Sequence, residues 1–319
     1  FTFNHFHGLC RDVLNEYGIE WPSSPKMVNF NNKEDFERAL DRFFRFTVPE
    51  AVIAAIGVKY STLYDAILID EGQDYEYEWY ALLDQHFITN NNPELVVVSD
   101  KKQNIYERNM DWFDKRSKQP GLEKFIGPYI DLTYTYRMSS KITKLTNDFS
   151  STFSLNQELK LRNDPESQPT LFETDLVKWT NISKYDWLEM IDENFGILKE
   201  KEISPSDIVI LLPDRETGYK CVKLFEENKV KTNHVFESDD ESKYHRHKKA
   251  FWMGDGRLKL STIHSFKGWE ILSVIIYIPE HNLGKVNKMD SVVYTAITRA
   301  KQNLIILNAN ERYKAFGEK

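Results

Sequence analysis

Cysteine is scarce: Cys10 and Cys221 are the only two in 319 residues, and they lie far apart. That excludes a disulfide framework and a ligand-spaced structural zinc site, and it suits a reducing cytosol. Long apolar runs are missing as well. The longest, Ile271 to Pro279, is strand-sized and well short of the ~20 residues a membrane helix needs, so no membrane partner is expected. A signal peptide is absent, but Phe1 already reads as structured sequence. A cytoplasmic protein whose natural N-terminus lies further upstream is therefore expected. Basic residues are not in excess, with 42 Lys and Arg against 49 Asp and Glu. The net charge of −7 argues against a general nucleic-acid coat but leaves room for a locally basic groove. Internal repeats and low-complexity tracts are lacking too. At 41% hydrophobic and 29% charged residues, the chain is an ordinary globular sequence, long enough for two compact domains.

Short apolar runs punctuate the chain at Ala66–Ile69, Leu95–Val98, Ile208–Leu212, Leu272–Ile278 and Leu304–Leu307. Their continuous rather than alternating hydrophobicity predicts strands buried on both faces, as in parallel sheets. Between them, Tyr75–Phe87, Ser139–Phe153 and Tyr185–Lys199 have the length and spacing of helices. Strand–helix alternation of this kind means an α/β fold. Glycines and prolines around 120–128 mark a divide, giving domains at 1–128 and 129–319, with a helical excursion at about 20–60 in the first. Two polar stretches, 156–170 and 237–249, read as surface excursions; the second is acidic first and basic after.

The run ending at Ile69 passes directly into Asp70-Glu71-Gly72-Gln73-Asp74. In open parallel sheets the carboxyl ends of strands line the ligand crevice. Asp70 there suits a magnesium ion, which keeps several waters and uses one or two carboxylates. Glu71, one residue on, suits the deprotonation of an attacking water. A helix cap followed by an acidic first turn would account for Asp70 and Asp74 equally well. After the second run, Gln103 is placed to hydrogen-bond a terminal phosphate or its attacking water, and Tyr106 offers a face on which a base can stack. A surface glutamine and a core tyrosine are the plainer reading of those two. Leu132 to Arg137 brings an arginine suited to charge on a transferred phosphoryl group. Leu260 to Glu270 joins two strands, and Val292 to Lys301 reads as a helix carrying Arg299 to the same cleft, before the last strand.

In order along the chain, these segments resemble the motifs of superfamily 1 DNA helicases of the UvrD/Rep type. Asp70–Asp74 is similar to motif II, Gln103–Tyr106 to motif III and Tyr136–Arg137 to motif IV. Thr262–Glu270 resembles motif V, Val292–Lys301 motif VI, and Phe6-His7-Gly8-Leu9-Cys10 the strand-contacting segment that precedes motif II. The resemblance spans nearly the whole chain. It implies two RecA-like P-loop NTPase domains with parallel sheets, the first incomplete and the second without a large insertion. It implies ATP and Mg²⁺ as cofactors, Asp70 at the metal, Glu71 as base and Gln103 as γ-phosphate sensor. Tyr136 would lie against the adenine and Glu270 would hydrogen-bond the ribose, while Arg137 and Arg299 supply charge to the γ-phosphate. His7, Tyr106, Thr262 and His264 fall where the family contacts single-stranded DNA or couples it to the nucleotide site; a satisfied core histidine is the alternative for His7 and His264.

Three departures qualify the resemblance. None of the 13 glycines opens a G-x-x-x-x-G-K-S/T phosphate loop; Gly284-Lys285 lacks the earlier glycine and the hydroxyl residue. The family places that loop before the Phe6 segment, so a fragment truncated upstream of Phe1 and binding ATP poorly is expected. The stretch from Arg137 to Thr262 is short where the familiar repair helicases carry a large insertion. The compact relatives it resembles include some that follow a nuclease-related domain. Finally, Glu107-Arg108 stands where the repair helicases place a tryptophan. The leading expectation is an ATP-dependent helicase or translocase on single-stranded DNA, with RNA as a further candidate substrate. The alternative is a non-catalytic nucleic-acid-binding or partner-docking module that retains the fold.

Overall fold

The computed structural model describes residues 2–57, 60–89, 91, 93–109, 112, 122, 130–155, 160–163, 175–236, 250–281 and 286–318. The divide expected at 120–128 falls almost wholly outside the described residues. So do most of 156–170, all of 237–249 and the Gly284-Lys285 pair. The chain forms two compact units, residues 1–101 with 106–129, and residues 102–105 with 130–319. No helix among the described residues is long and apolar enough to cross a membrane.

The first unit opens with α1 (Phe6–Glu16), then α2 (Lys33–Arg42), a π-turn at Phe43–Thr47 and α3 (Val48–Ile56). The Asn32 side chain caps α2 by accepting from the Asp35 N–H, satisfying a donor that the first turn leaves unpaired. Strand β1 (Ala66–Ile69), α4 (Tyr77–His86) and β2 (Glu94–Val97) complete it, and β1 and β2 pair in parallel. Their expected burial on both faces does not hold. Ile69, Ile67, Leu95 and Val97 face the core formed with α1, α3 and α4. Leu68 is 76% exposed, and Val96 and Val98 are exposed beside it. In a strand, alternate residues point to opposite faces, and here helices pack against only one of them.

The second unit holds two sheets, both parallel. A short pair, β3 (Tyr134–Thr135) and β4 (Arg162–Asn163), flanks α5 (Ser140–Thr152). The main sheet comprises β5 (Val177–Asn181), β6 (Ile208–Leu212), β7 (Thr232–His234), β8 (Leu258–Thr262), β9 (Ile271–Ile278) and β10 (Ala300–Asn308). Its order is β5-β10-β9-β6-β8-β7. The connecting helices are α6 (Trp187–Glu200), α7 (Arg215–Glu227), the single turn α8 (Ile263–Phe266) and α9 (Val286–Ile297); α10 (Lys314–Gly317) ends the chain.

Here the apolar runs are buried on both faces. Val209, Leu211, Val274, Ile276, Leu304 and Ile306 pack with α5 and α9. Ile208, Ile210, Leu212, Ile275, Ile305 and Leu307 pack with α6 and α7 on the other side. This is a doubly wound α/β layer of the RecA-like kind. Two expected boundaries move: the helix ends at Ile297, leaving Arg299 in the turn beyond it, and the last strand begins at Ala300 with a register shift before Asn303.

The α7–sheet contact depends on a missing side chain. A Cβ on Gly218 would come within 2.3 Å of the buried Phe236 ring. Gly218→Ala is therefore expected to destabilise the protein by about 1–3 kcal/mol, as overpacking does. Chemical denaturation reads this directly, and an unchanged midpoint would show that Phe236 yields freely.

Candidate active site

In the first unit the acidic segment forms a tight turn at the carboxyl end of β1. Glu71 adopts φ 52°, ψ 42°, a left-handed conformation that costs a non-glycine residue about 1–3 kcal/mol. The surrounding backbone holds it there. The Gly72 N–H donates to the Val98 carbonyl at 2.8 Å, and the Asp74 N–H donates to the Glu71 carbonyl at 2.8 Å. The Glu71 N–H itself donates to Asp70 Oδ1 at 2.8 Å. Asp70 is thus not a cap for a following helix: the 3₁₀ turn Gly72–Asp74 has no side-chain cap. An exposed carboxylate stands at the strand end, with a second beside it on a constrained turn.

Gln73, which residue pattern alone does not single out, is fully buried between them. Its Oε1 accepts from the Asp100 N–H at 2.9 Å, and its Nε2 donates to Glu71 Oε2. Its position inside the same acidic pentapeptide is the one signal of this in the sequence.

His7 lies in the first turn of α1, not on a strand, and its Nε2 meets the Phe44 carbonyl at 3.2 Å. The rings of Phe6, Phe44 and Trp79 surround it at 4.7–5.2 Å. Burial lowers its pKa below the ordinary histidine value, against the raising effect of that hydrogen bond. His7, Leu40, Phe44, Glu37, Asp41 and Arg108 line a hollow of about 320 Å³. Arg108, standing where the resemblance expected a stacking residue, lies over the Trp79 ring and pairs with Asp41 at 2.6 Å and Glu76 at 2.9 Å. Tyr106 is 46% exposed, and burial of its inner part raises its pKa.

In the second unit, Gln103 and Arg299 meet although 196 positions separate them. Arg299 is 2% exposed. Its Nη2 donates to Gln103 Oε1 at 2.7 Å and to Thr298 Oγ1 at 3.0 Å, and its Nε to the Thr295 carbonyl at 3.0 Å. Lys267 Nζ donates to the Gln103 carbonyl at 3.0 Å. Such a rigid fork holds a guanidinium in one orientation more firmly than any lysine could be held. Nearby in sequence, Glu270 receives Arg137 at 3.0 Å and Lys301 at 2.8 Å. Tyr136 is 74% exposed.

Thr262 and His264 sit elsewhere. Glu270 and Arg299 precede β9 and β10, whereas Thr262 ends β8. At ~3.3 Å per residue along parallel strands, the two groups are roughly 20 Å apart, on opposite edges of the sheet. The Thr262 hydroxyl caps α8 by accepting from the Ser265 N–H. Burial lowers the pKa of His264, and the charges of Lys288 and Lys267 lower it further.

The chain thus holds parallel α/β units, with a strand-end carboxylate pair in one and a buried glutamine–arginine pair in the other. Residues 26–110 match the UvrD/REP helicase N-terminal domain, and residues 214–308 match the viral superfamily 1 RNA helicase core domain. Two separate segments of the chain thus match helicase models, the first of the UvrD/REP type and the second of viral superfamily 1. The matched spans include Asp70, Glu71, Gln103, Tyr106, Thr262, His264, Glu270 and Arg299; His7, Tyr136 and Arg137 lie outside them. No curated protein matches the chain. Among solved structures, the C-terminal domain of a possible DNA helicase from Lactobacillus plantarum WCFS1 is similar over 55% of this chain and 89% of that one. Its identity is 11% and its TM-score 0.37.

The Glu270 cluster has a defined pH response. Burial alone would raise the Glu270 carboxyl, but the hydrogen bond from Lys301 and the charges of Arg137 and Lys301 outweigh it and hold the pKa below the usual value. A depressed folded pKa stabilises fully above the unfolded value of ~4.3 and is lost as pH falls through the folded one. The Tm gap between wild type and Glu270→Gln should therefore be open at neutral pH and close on acidification below that value. A gap independent of pH would show that the carboxylate charge contributes nothing.

Proposed function

We propose that this chain is the motor of an ATP-dependent translocase acting on single-stranded DNA. The observation that carries the reading is the Asp70–Glu71 turn at the end of β1, within the span that matches the UvrD/REP helicase domain. Superfamily 1 helicases use a nucleotide and a metal ion, and the residues present fit the hydrolytic half of such a site. Asp70 offers a hard, exposed oxygen of the kind magnesium takes, usually one or two carboxylates with waters and substrate phosphates. Among the described residues no group of three or more His, Cys, Asp or Glu could hold a metal ion, so Asp70 would share the ion with waters and substrate phosphates. The phosphate-cradling loop is the part this sequence does not contain.

Magnesium-bound ATP supplies the polarised γ-phosphoryl group. Glu71 accepts a proton from the attacking water, its side chain starting from a backbone held in one conformation. Gln103 and Arg299, already hydrogen-bonded to each other, present an amide and a guanidinium to negative charge as it develops on the phosphoryl oxygens. Arg137 adds charge beside Arg299, Tyr136 offers an exposed ring to the adenine, and Glu270 serves the ribose. Tyr106 gives the strand a stacking face, and Thr262, His264 and His7 contact or position it. In this reading the motor's domains are 1–128 and 129–319, with Gln103 serving the second.

The absent G-x-x-x-x-G-K-S/T pattern favours one other reading, a non-catalytic module that binds nucleic acid. ATP hydrolysis by the complete gene product, with and without single-stranded DNA or RNA, separates them. Stimulation by DNA, abolished or lowered ~10²–10⁴-fold in Glu71→Gln, is the expected result. Strand binding with no hydrolysis would establish the module instead, turnover unchanged by Glu71→Gln would remove the base assignment, and stimulation by RNA alone would change the substrate.

A further inference from the structure

The backbone of Glu71 is pinned, but its side chain has three torsions of its own. We propose that Gln73 is the positioning residue that fixes the Glu71 carboxylate; this rests on Glu71 acting as the base. Gln73 is 0% exposed, and a buried amide must place both of its ends. Its orientation is dictated from the second strand. The Asp100 backbone N–H can only donate, so it takes the amide oxygen, at 2.9 Å, and the amide nitrogen is left facing Glu71. The nitrogen then donates to Glu71 Oε2. One side chain thereby ties the residue after β1 to the loop that follows β2, both at the carboxyl edge of the sheet.

The residue type matters as much as its place. A lysine or arginine would orient a carboxylate too, but its charge would also weaken that carboxylate as a proton acceptor. A neutral amide donor orients without that penalty. Asparagine is one methylene shorter and would not span the two partners, and a carboxylate would offer an acceptor where a donor is needed. Gln73 itself touches no water or phosphate in this role, so its removal should slow turnover without weakening nucleotide binding.

Two substitutions in the complete gene product test this. Gln73→Leu keeps the bulk and removes the donor. Its kcat should fall ~10- to 100-fold, while KM for ATP stays within about twofold of wild type. Thermal melting of each variant reports whether the fold is kept. Gln73→Asn keeps the amide but is one methylene too short to span Asp100 and Glu71, so it too should lower kcat while leaving KM for ATP within about twofold of wild type. A purely structural role would instead lower the melting temperature and leave the kcat of the folded enzyme unchanged. A kcat within about twofold of wild type in folded Gln73→Leu or Gln73→Asn overturns the proposal while leaving Glu71 as base. A wild type that hydrolyses no ATP overturns both.

Discussion

Burial of the six-stranded sheet on both faces is the constraint from which the second unit follows. Alternate residues of β6, β9 and β10 supply two separate apolar layers, and a polar group within either layer must be paired. Asn303 meets this by donating to Ser273 and accepting from the Leu176 N–H. Lys259, fully buried, meets it with the carbonyls of Ser206, Asp255 and Arg257. Chemistry that needs charge is displaced to the strand ends. There the two edges differ: Glu270 and Arg299 precede β9 and β10, with Lys301 at the start of β10, while Thr262 ends β8 and His264 follows it. The general expectation for open α/β sheets, a ligand at the carboxyl ends, describes only the second of these groups.

The first unit follows a different logic. Only one face of β1 and β2 meets helices among the described residues, so Leu68 and Val96 stay exposed despite their type. Its candidate site is the turn after Ile69, where backbone strain at Glu71 is held by hydrogen bonds of Asp70, Gly72 and Asp74. Strain retained in this way places a side chain where relaxed backbone would not.

Much of this is legible in the chain. The strands at 66–69, 208–212 and 271–278 announce themselves because continuous runs rich in isoleucine, leucine and valine have few other uses. Strands β5 and β7 do not, since Val-Lys-Trp-Thr-Asn and Thr-Asn-His lie at the sheet edges and carry mixed polarity. Strand β8 is interrupted in sequence by Lys259, whose burial depends on the neighbouring carbonyls of Asp255 and Arg257 and the distant one of Ser206. Gln73 stays hidden because a glutamine between acids reads as surface, and its burial becomes apparent only when β2 delivers the Asp100 N–H to it. Arg108 shows the same limit: its pairing with Asp41 and Glu76 depends on where α2 and α4 come to rest.

The order and identity of the motifs, the α/β class and the family were determined by the sequence alone, because they depend on residue type and spacing that are local and additive. The pairing of Gln103 with Arg299, the separation of Thr262 from Glu270 across the sheet, the helical setting of His7 and the left-handed turn at Glu71 were decided by tertiary structure. Each requires hydrogen-bond partners or packing neighbours from distant segments. Local propensity says nothing about those, and the folded chain supplies them only once its sheets have closed.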